Sequence, residues 1–189
     1  MVATAATLLQ EGGAAGVTID AVLARSGCPR GSVYHHFPGG RAQILREALQ
    51  FAGAEITAAI EATGTGDGTA LLRRFSLLWR DALIASDYAA GSPVLAAAIG
   101  SGPDERQLTS VAADIFQRWH DAAAEAFLRE GFDPTEADTL AHTTIAALEG
   151  AVVLCRSLRS LAPLDGVARQ LEFLIKARHF VSRATVGAP

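Results

Sequence analysis

The chain has 189 residues and a net charge of -4, with half of its residues apolar and only 6% aromatic. That length allows one large domain or two small ones around a sizeable core, and so high an apolar share excludes a disordered chain. The acidity gives no overall sign of nucleic acid, but residues 1–50 hold four basic against three acidic residues and the remainder twelve against seventeen, so an anionic partner is best tolerated at the N-terminal end.

Cys28 and Cys155 lie far apart without zinc-site spacing and read as reduced thiols of a cytoplasmic protein. There is no basic-then-apolar leader and no stretch of about eighteen uninterrupted apolar residues, which argues against secretion and membrane insertion. Alanine and leucine supply most of the apolar bulk, which suits close-packed helices better than strands.

Val2, Ala5, Ala6 and Leu9 predict a short first helix that ends in the glycine-rich EGGAAG. Next, Ile19, Val22 and Leu23 form an i, i+3, i+4 face, with Thr18 placed as N-cap and Gly27 as the stop. A very short helix follows from Arg30 to about His36, broken by Pro38-Gly39-Gly40. From Arg41 to about residue 61 a long amphipathic helix carries Ile44, Leu45, Ala48, Phe51, Ala52, Ile56 and Ile60, and a TGTGDG linker (Thr63 to Gly68) closes it. Further helices are expected at Leu71–Ala85, after Ser92-Pro93, at about Asp104–Arg129, at Pro134–Leu161 and at Asp165–Arg183. Gly131 is read as a C-cap, Asp133 as an N-cap and Pro134 as N1. Ala162-Pro163-Leu164 is too short to join anything but antiparallel neighbours. No segment alternates long enough for a strand, so the fold class is all-α.

Residues 18–37 have the spacing of a helix-turn-helix. Val33 and Phe37 would anchor the second helix, leaving Arg30, Gly31, Ser32, Tyr34, His35 and His36 outside. These residue types suit a nucleic-acid surface: arginine reads guanine edges or phosphate, glycine admits close backbone, and serine, tyrosine and histidine donate to phosphate oxygens. Metal chelation by His35 and His36 is ruled out, because adjacent helical residues point about 100° apart.

The stretch TIDAVLARSGCPRGSVYHHFPGGRAQILREAL, with GSVYHHF at its centre, resembles the TetR family of bacterial transcriptional regulators. Residues 91–175 are similar in pattern to its LmrA/YxaF-like branch. The resemblance implies a three-helix DNA-binding domain over residues 1–45 and a ligand-binding and dimerisation bundle over 46–189, about nine helices in all. It further implies phosphate contacts from Thr18, Tyr34 and His35, with His36 beside them on the DNA-binding face, and major-groove contacts from Arg30, Gly31 and Ser32. Arg41 would stand in for the lysine of the family's usual PSKE, here PGGR. Relative to the family the first helix is short and lacks a basic lead-in: either the gene start is mis-set, or the protein has one electrostatic anchor fewer on DNA.

An effector cavity is the family expectation for Phe51, Phe75, Trp79, Phe116, Trp119 and His120, with Tyr88 nearby, while Asp114 and Glu125 are read as solvated. A dimer interface is implied for Leu140, Thr144, Ala147, Ala151, Leu154, Leu158, Leu171 and Leu174, with Cys155 in or near it. The reading is a homodimeric repressor of double-stranded operator DNA, released by a small, largely apolar effector and using no cofactor or metal. A ligand-binding relative with weakened DNA binding is the alternative. An enzyme built on His120 or His142 with Cys155 has no supporting motif.

Overall fold

The computed structural model describes residues 1–61, 67–100, 102 and 106–186, including the side chains of all of these except 59 and 181–186. Its described residues form helices α1 (Val2–Gly16), α2 (Ile19–Ser26), α3 (Arg30–His36), α4 (Gly40–Glu61), α5 (Gly68–Ala85), α6 (Pro93–Ile99), α7 (Arg106–Glu130), α8 (Pro134–Leu158) and α9 (Ala162–Val186), with no strand among them. The all-α expectation therefore holds. No helix is long and apolar enough to cross a membrane. The expected linker at Thr63–Gly68 lies outside the described residues apart from Asp67 and Gly68, as does the expected helix start at Asp104.

Local chemistry explains most boundaries. The hydroxyl of Thr18 accepts from the Ala21 amide at 3.0 Å, and the Asp133 carboxylate accepts from the amides of Thr135 and Glu136 at 2.9 and 3.0 Å, ahead of Pro134 at N1. Ser92 and Asp67 cap α6 and α5 in the same way. Helix α1 runs further than the glycines suggest: it passes through EGGAAG to Gly16, with a break at Gly13 where φ is +63°.

The chain divides into two units, each assembled from two stretches: residues 1–58 with 89–118, and residues 59–88 with 119–189. A boundary at residue 45 would fall inside α4, a continuous helix.

In the first unit α1 packs on α2 and α6. Leu9, Val22, Val33, Phe37, Ile44, Leu45 and Leu49 are buried. Helix α4 approaches α7 closely at Gly53, where an added Cβ would meet Ile115 Cδ1 at 2.5 Å.

The second unit packs α9 on α8 and α5. Its core holds Phe75, Trp79, Trp119 and Phe127, with the Phe75 and Trp119 rings edge to face at 5.6 Å. Gly68 admits Phe127 so closely that any side chain there would collide with its ring.

Candidate nucleic-acid interface

Gly27 closes α2 in the left-handed conformation at φ +67°, its amide donating to the Leu23 carbonyl at 3.0 Å. Cys28 and Pro29 then turn the chain into α3, whose seven residues are too few to be stable alone. Two buried side chains hold it, Val33 within the helix and Phe37 just after it. That fixes which face is left outside: Arg30, Gly31, Tyr34, His35 and His36 are exposed, and Ser32 is half-buried.

These side chains differ in how free they are. Tyr34 is 59% exposed, and the His35 and His36 rings stand edge to face at 5.0 Å. Ser32 donates to the Pro29 carbonyl at 2.6 Å, within its own first turn. Arg30 pairs with Asp20 at 3.0 Å, but both side chains are largely exposed, so a phosphate or base edge could replace the carboxylate at little cost. Thr18 is exposed at the start of α2 and keeps its hydroxyl hydrogen to donate while its oxygen serves as the cap.

Arg41 is engaged within its own protomer. Its Nε donates to the Val17 carbonyl at 2.8 Å and its Nη2 to the Ala14 carbonyl at 2.6 Å. The guanidinium thus donates to carbonyls at the end of α1, adding to the Val17 amide that already donates to the Ala14 carbonyl at 3.2 Å. In the protomer Arg41 thereby clamps α1 to α4. A second brace is Arg25, paired with Glu11 through both guanidinium nitrogens at 2.5 and 2.9 Å. The hydrogen bond from Arg25 holds the Glu11 carboxyl below its ordinary value.

The residues expected to line an effector cavity fall in both units. Phe75, Trp79 and Trp119 belong together in the second unit's core, with His120 half-buried beside them in sequence. Phe51 and Phe116 belong to the first unit, Phe51 being 38% exposed. Asp114 and Glu125 are exposed, as read from the sequence. Trp79 Nε1 is buried without a hydrogen-bond partner among the described residues. Two clefts lie elsewhere in the second unit, one of about 190 Å³ between α5 and α9 and one of about 670 Å³ beside Ala147, Pro163, Val167, Phe173 and Leu174. Neither is lined by the expected aromatics.

The residues assigned to a dimer interface also separate. Leu154 and Leu158 are 52% and 65% exposed, and Ala147 and Leu174 are half-buried. Leu140, Thr144, Ala151 and Leu171 are buried inside the protomer. Cys155 is fully buried too, and burial pushes its thiol pKa up. Sequence reasoning missed Val153, Phe173 and Phe180, which are 47%, 69% and 76% exposed on α8 and α9. The i, i+7 spacing of the two phenylalanines was the available signal.

Two family models match the chain: bacterial regulatory proteins, tetR family, over residues 1–48, and transcriptional regulator LmrA/YxaF-like, C-terminal domain, over residues 69–170. An uncharacterized HTH-type transcriptional regulator of Mycobacterium tuberculosis, Rv0196, is 43% identical over 183 residues, covering 94% of this chain and 93% of its own length. A TetR transcriptional regulator from Legionella pneumophila has the same fold at a TM-score of 0.78 and 17% identity, with 92% of this chain and 94% of that one covered. A putative transcriptional regulator from Saccharomonospora viridis, solved in complex with choline, aligns at a TM-score of 0.63 and 22% identity over 93% of each chain.

Proposed function

The chain belongs to the TetR family of transcriptional regulators, and on that premise we propose that it works as a homodimeric repressor released from its operator by a small molecule. The observation that carries the reading is α3: a helix anchored by two apolar residues that turns Arg30, Gly31, Tyr34, His35 and His36 outward. In this reading each protomer lays α3 in one major groove. Arg30, Gly31 and Ser32 meet base edges, while Thr18, Tyr34, His35 and His36 meet phosphates. Two such helices reach successive grooves on one face of B-DNA when they stand roughly 34–36 Å apart.

Dimerisation is assigned to the apolar face of α8 and α9 formed by the exposed Val153, Leu154, Leu158 and Phe173 with the half-buried Leu174. Leaving such side chains in water forgoes about 1.5–3 kcal/mol for each large one that a partner could bury. Effector binding is assigned to the interior near Phe75, Trp79, Trp119 and His120. The buried Trp79 N–H without an acceptor supports a ligand with one polar atom on a largely apolar body. An effector changes operator affinity only by the difference in its own affinity for the two conformers.

The test is a gel-shift titration of the purified chain against the DNA upstream of its own gene, with random duplex as competitor. A specific shift that survives the competitor is expected. Absence of any specific shift at low salt would overturn the repressor reading and leave a ligand-binding protein of the same fold.

A further inference from the structure

One group of side chains is used by neither the DNA-facing helix nor the apolar faces. His120 on α7 and Asp138 and His142 on α8 bring one possible ligand atom each to within 4.8 Å of one another. All three belong to the second unit. We propose that they bind a divalent first-row transition-metal ion of the Zn²⁺ type, joining α7 to α8.

The placement follows from the sequence. Asp138 and His142 are four residues apart on one helix and so share a face. The short Gly131-Phe132-Asp133 connection turns α8 back after α7, and His120 faces this pair. Its Nε2 lies 3.1 Å from Asp138 Oδ1, while His142 Nδ1 lies 3.6 Å from Asp138 Oδ2. The two imidazole rings are 4.1 Å apart between centroids. Ligand atoms about 2.0–2.1 Å from a tetrahedral ion stand roughly 3.3 Å from each other. The two observed spacings, each to a different oxygen of the Asp138 carboxylate, bracket that value; His142 Nδ1 also lies 3.1 Å from the Asp138 backbone carbonyl, so this ring must turn to offer a nitrogen to an ion.

A carboxylate also stands behind the inner histidine. Asp121 Oδ1 is 3.2 Å from His120 Nδ1, and an N–H placed there leaves Nε2, which faces Asp138, as the nitrogen for an ion. Such carboxylate–histidine pairs hold the ligating tautomer and raise its basicity. Two imidazoles with one carboxylate favour zinc, nickel, cobalt or copper over magnesium or calcium, which prefer sets made of oxygen. Side-chain exposure rises from 13% at His120 to 58% at Asp138 and 69% at His142, which gives the ion a path from solvent. Three protein ligands leave a fourth position for water or an exogenous donor.

The experiment titrates the tag-free full chain with zinc sulfate against a chromophoric chelator. The expected result is one saturable zinc per chain, with affinity reduced by at least about tenfold in His142→Ala and Asp138→Asn and by about 10–100-fold in Asp121→Asn. Zinc should raise the melting temperature of the parent chain and leave that of His142→Ala unmoved. The double variant His35→Ala/His36→Ala should bind like the parent. Absence of saturable binding would overturn the proposal. So would zinc affinity that follows His35 and His36 while staying intact in His142→Ala.

Discussion

Helix α3 and the α8–α9 pair both show the solvent more than their packing requires, with opposite chemistry. Helix α3 has seven residues and depends on Val33 and Phe37 for its place, so its outer side chains carry no structural duty and are polar. Helices α8 and α9 are 25 residues each and bury Ala141, Leu148, Val152 and Ile175, yet they still expose Val153, Leu154, Leu158, Phe173 and Phe180. A free polar set on a short, well-anchored helix fits a charged, hydrated partner. An apolar set on long helices that already have a core fits a second protein surface. The difference teaches that exposure alone says little until the chemistry of what is exposed is known.

The sharpest way to break this comparison is to place charge on the apolar face. Leu154→Glu/Leu158→Glu puts two carboxylates where a partner would have to desolvate them without counter-charges. Sedimentation velocity should show the parent as a dimer and the double variant as a monomer. Operator affinity should fall by about a hundredfold or more, which corresponds to a loss of about 2.7 kcal/mol. The melting temperature of the isolated protomer should scarcely move, since both positions are more than half exposed. A double variant that stays dimeric would place the interface elsewhere.

A finer cut separates contact from support within the first unit. Arg41→Ala removes two hydrogen bonds from a cation to the Val17 and Ala14 carbonyls and should cost about 1.5–3 kcal/mol of stability. The slope of log affinity against log salt should stay the same, because no phosphate contact is lost. His35→Ala should do the reverse, leaving denaturant midpoints unchanged while weakening specific and random duplexes alike. If Arg41→Ala flattened the salt slope by about one unit instead, its side chain would exchange the carbonyls for a phosphate on binding.

What was legible in the sequence follows the range of the forces involved. Caps, stops and apolar stripes act over a few residues, so Thr18, Gly27, Asp133 and Pro134 marked helix ends correctly, and Val33 and Phe37 were identified as anchors. The carbonyl contacts of Arg41 are not legible locally, because its partners lie 24 and 27 positions earlier, and no local pattern distinguishes a guanidinium aimed at a carbonyl from one aimed at a phosphate. The stripe on α8 was seen as one face, although a helix packed on its own unit divides such a stripe. Leu140, Thr144 and Ala151 turn inward, whereas Leu154 and Leu158 stay outside. His120 and His142 were noticed separately. Only the return of α8 along α7 sets Asp138 between them.

The smallest effect concerns how α9 is held in place to present its side of the apolar face. Glu172 on α9 accepts from Lys176 at 2.9 Å and from Arg73 on α5 at 2.7 Å. First the Lys176 ammonium and then the Arg73 guanidinium hold its carboxyl well below the ordinary 4.5, down to about 2. A depressed folded-state pKa means that the unfolded chain takes up the proton first. The stabilisation is therefore complete above about pH 4.5 and is lost as the pH falls toward 2. Denaturant midpoints measured from pH 6 to pH 2.5 should decline through that window in the parent chain. Glu172→Gln should remove part of the decline and cost a matching amount at neutral pH, a small one because Arg73 and Lys176 are largely exposed. Equal slopes in the two proteins would mean that the α5–α9 contact rests on apolar packing and on the Arg80–Asp165 pair at 2.5 Å, with Glu172 adding nothing measurable.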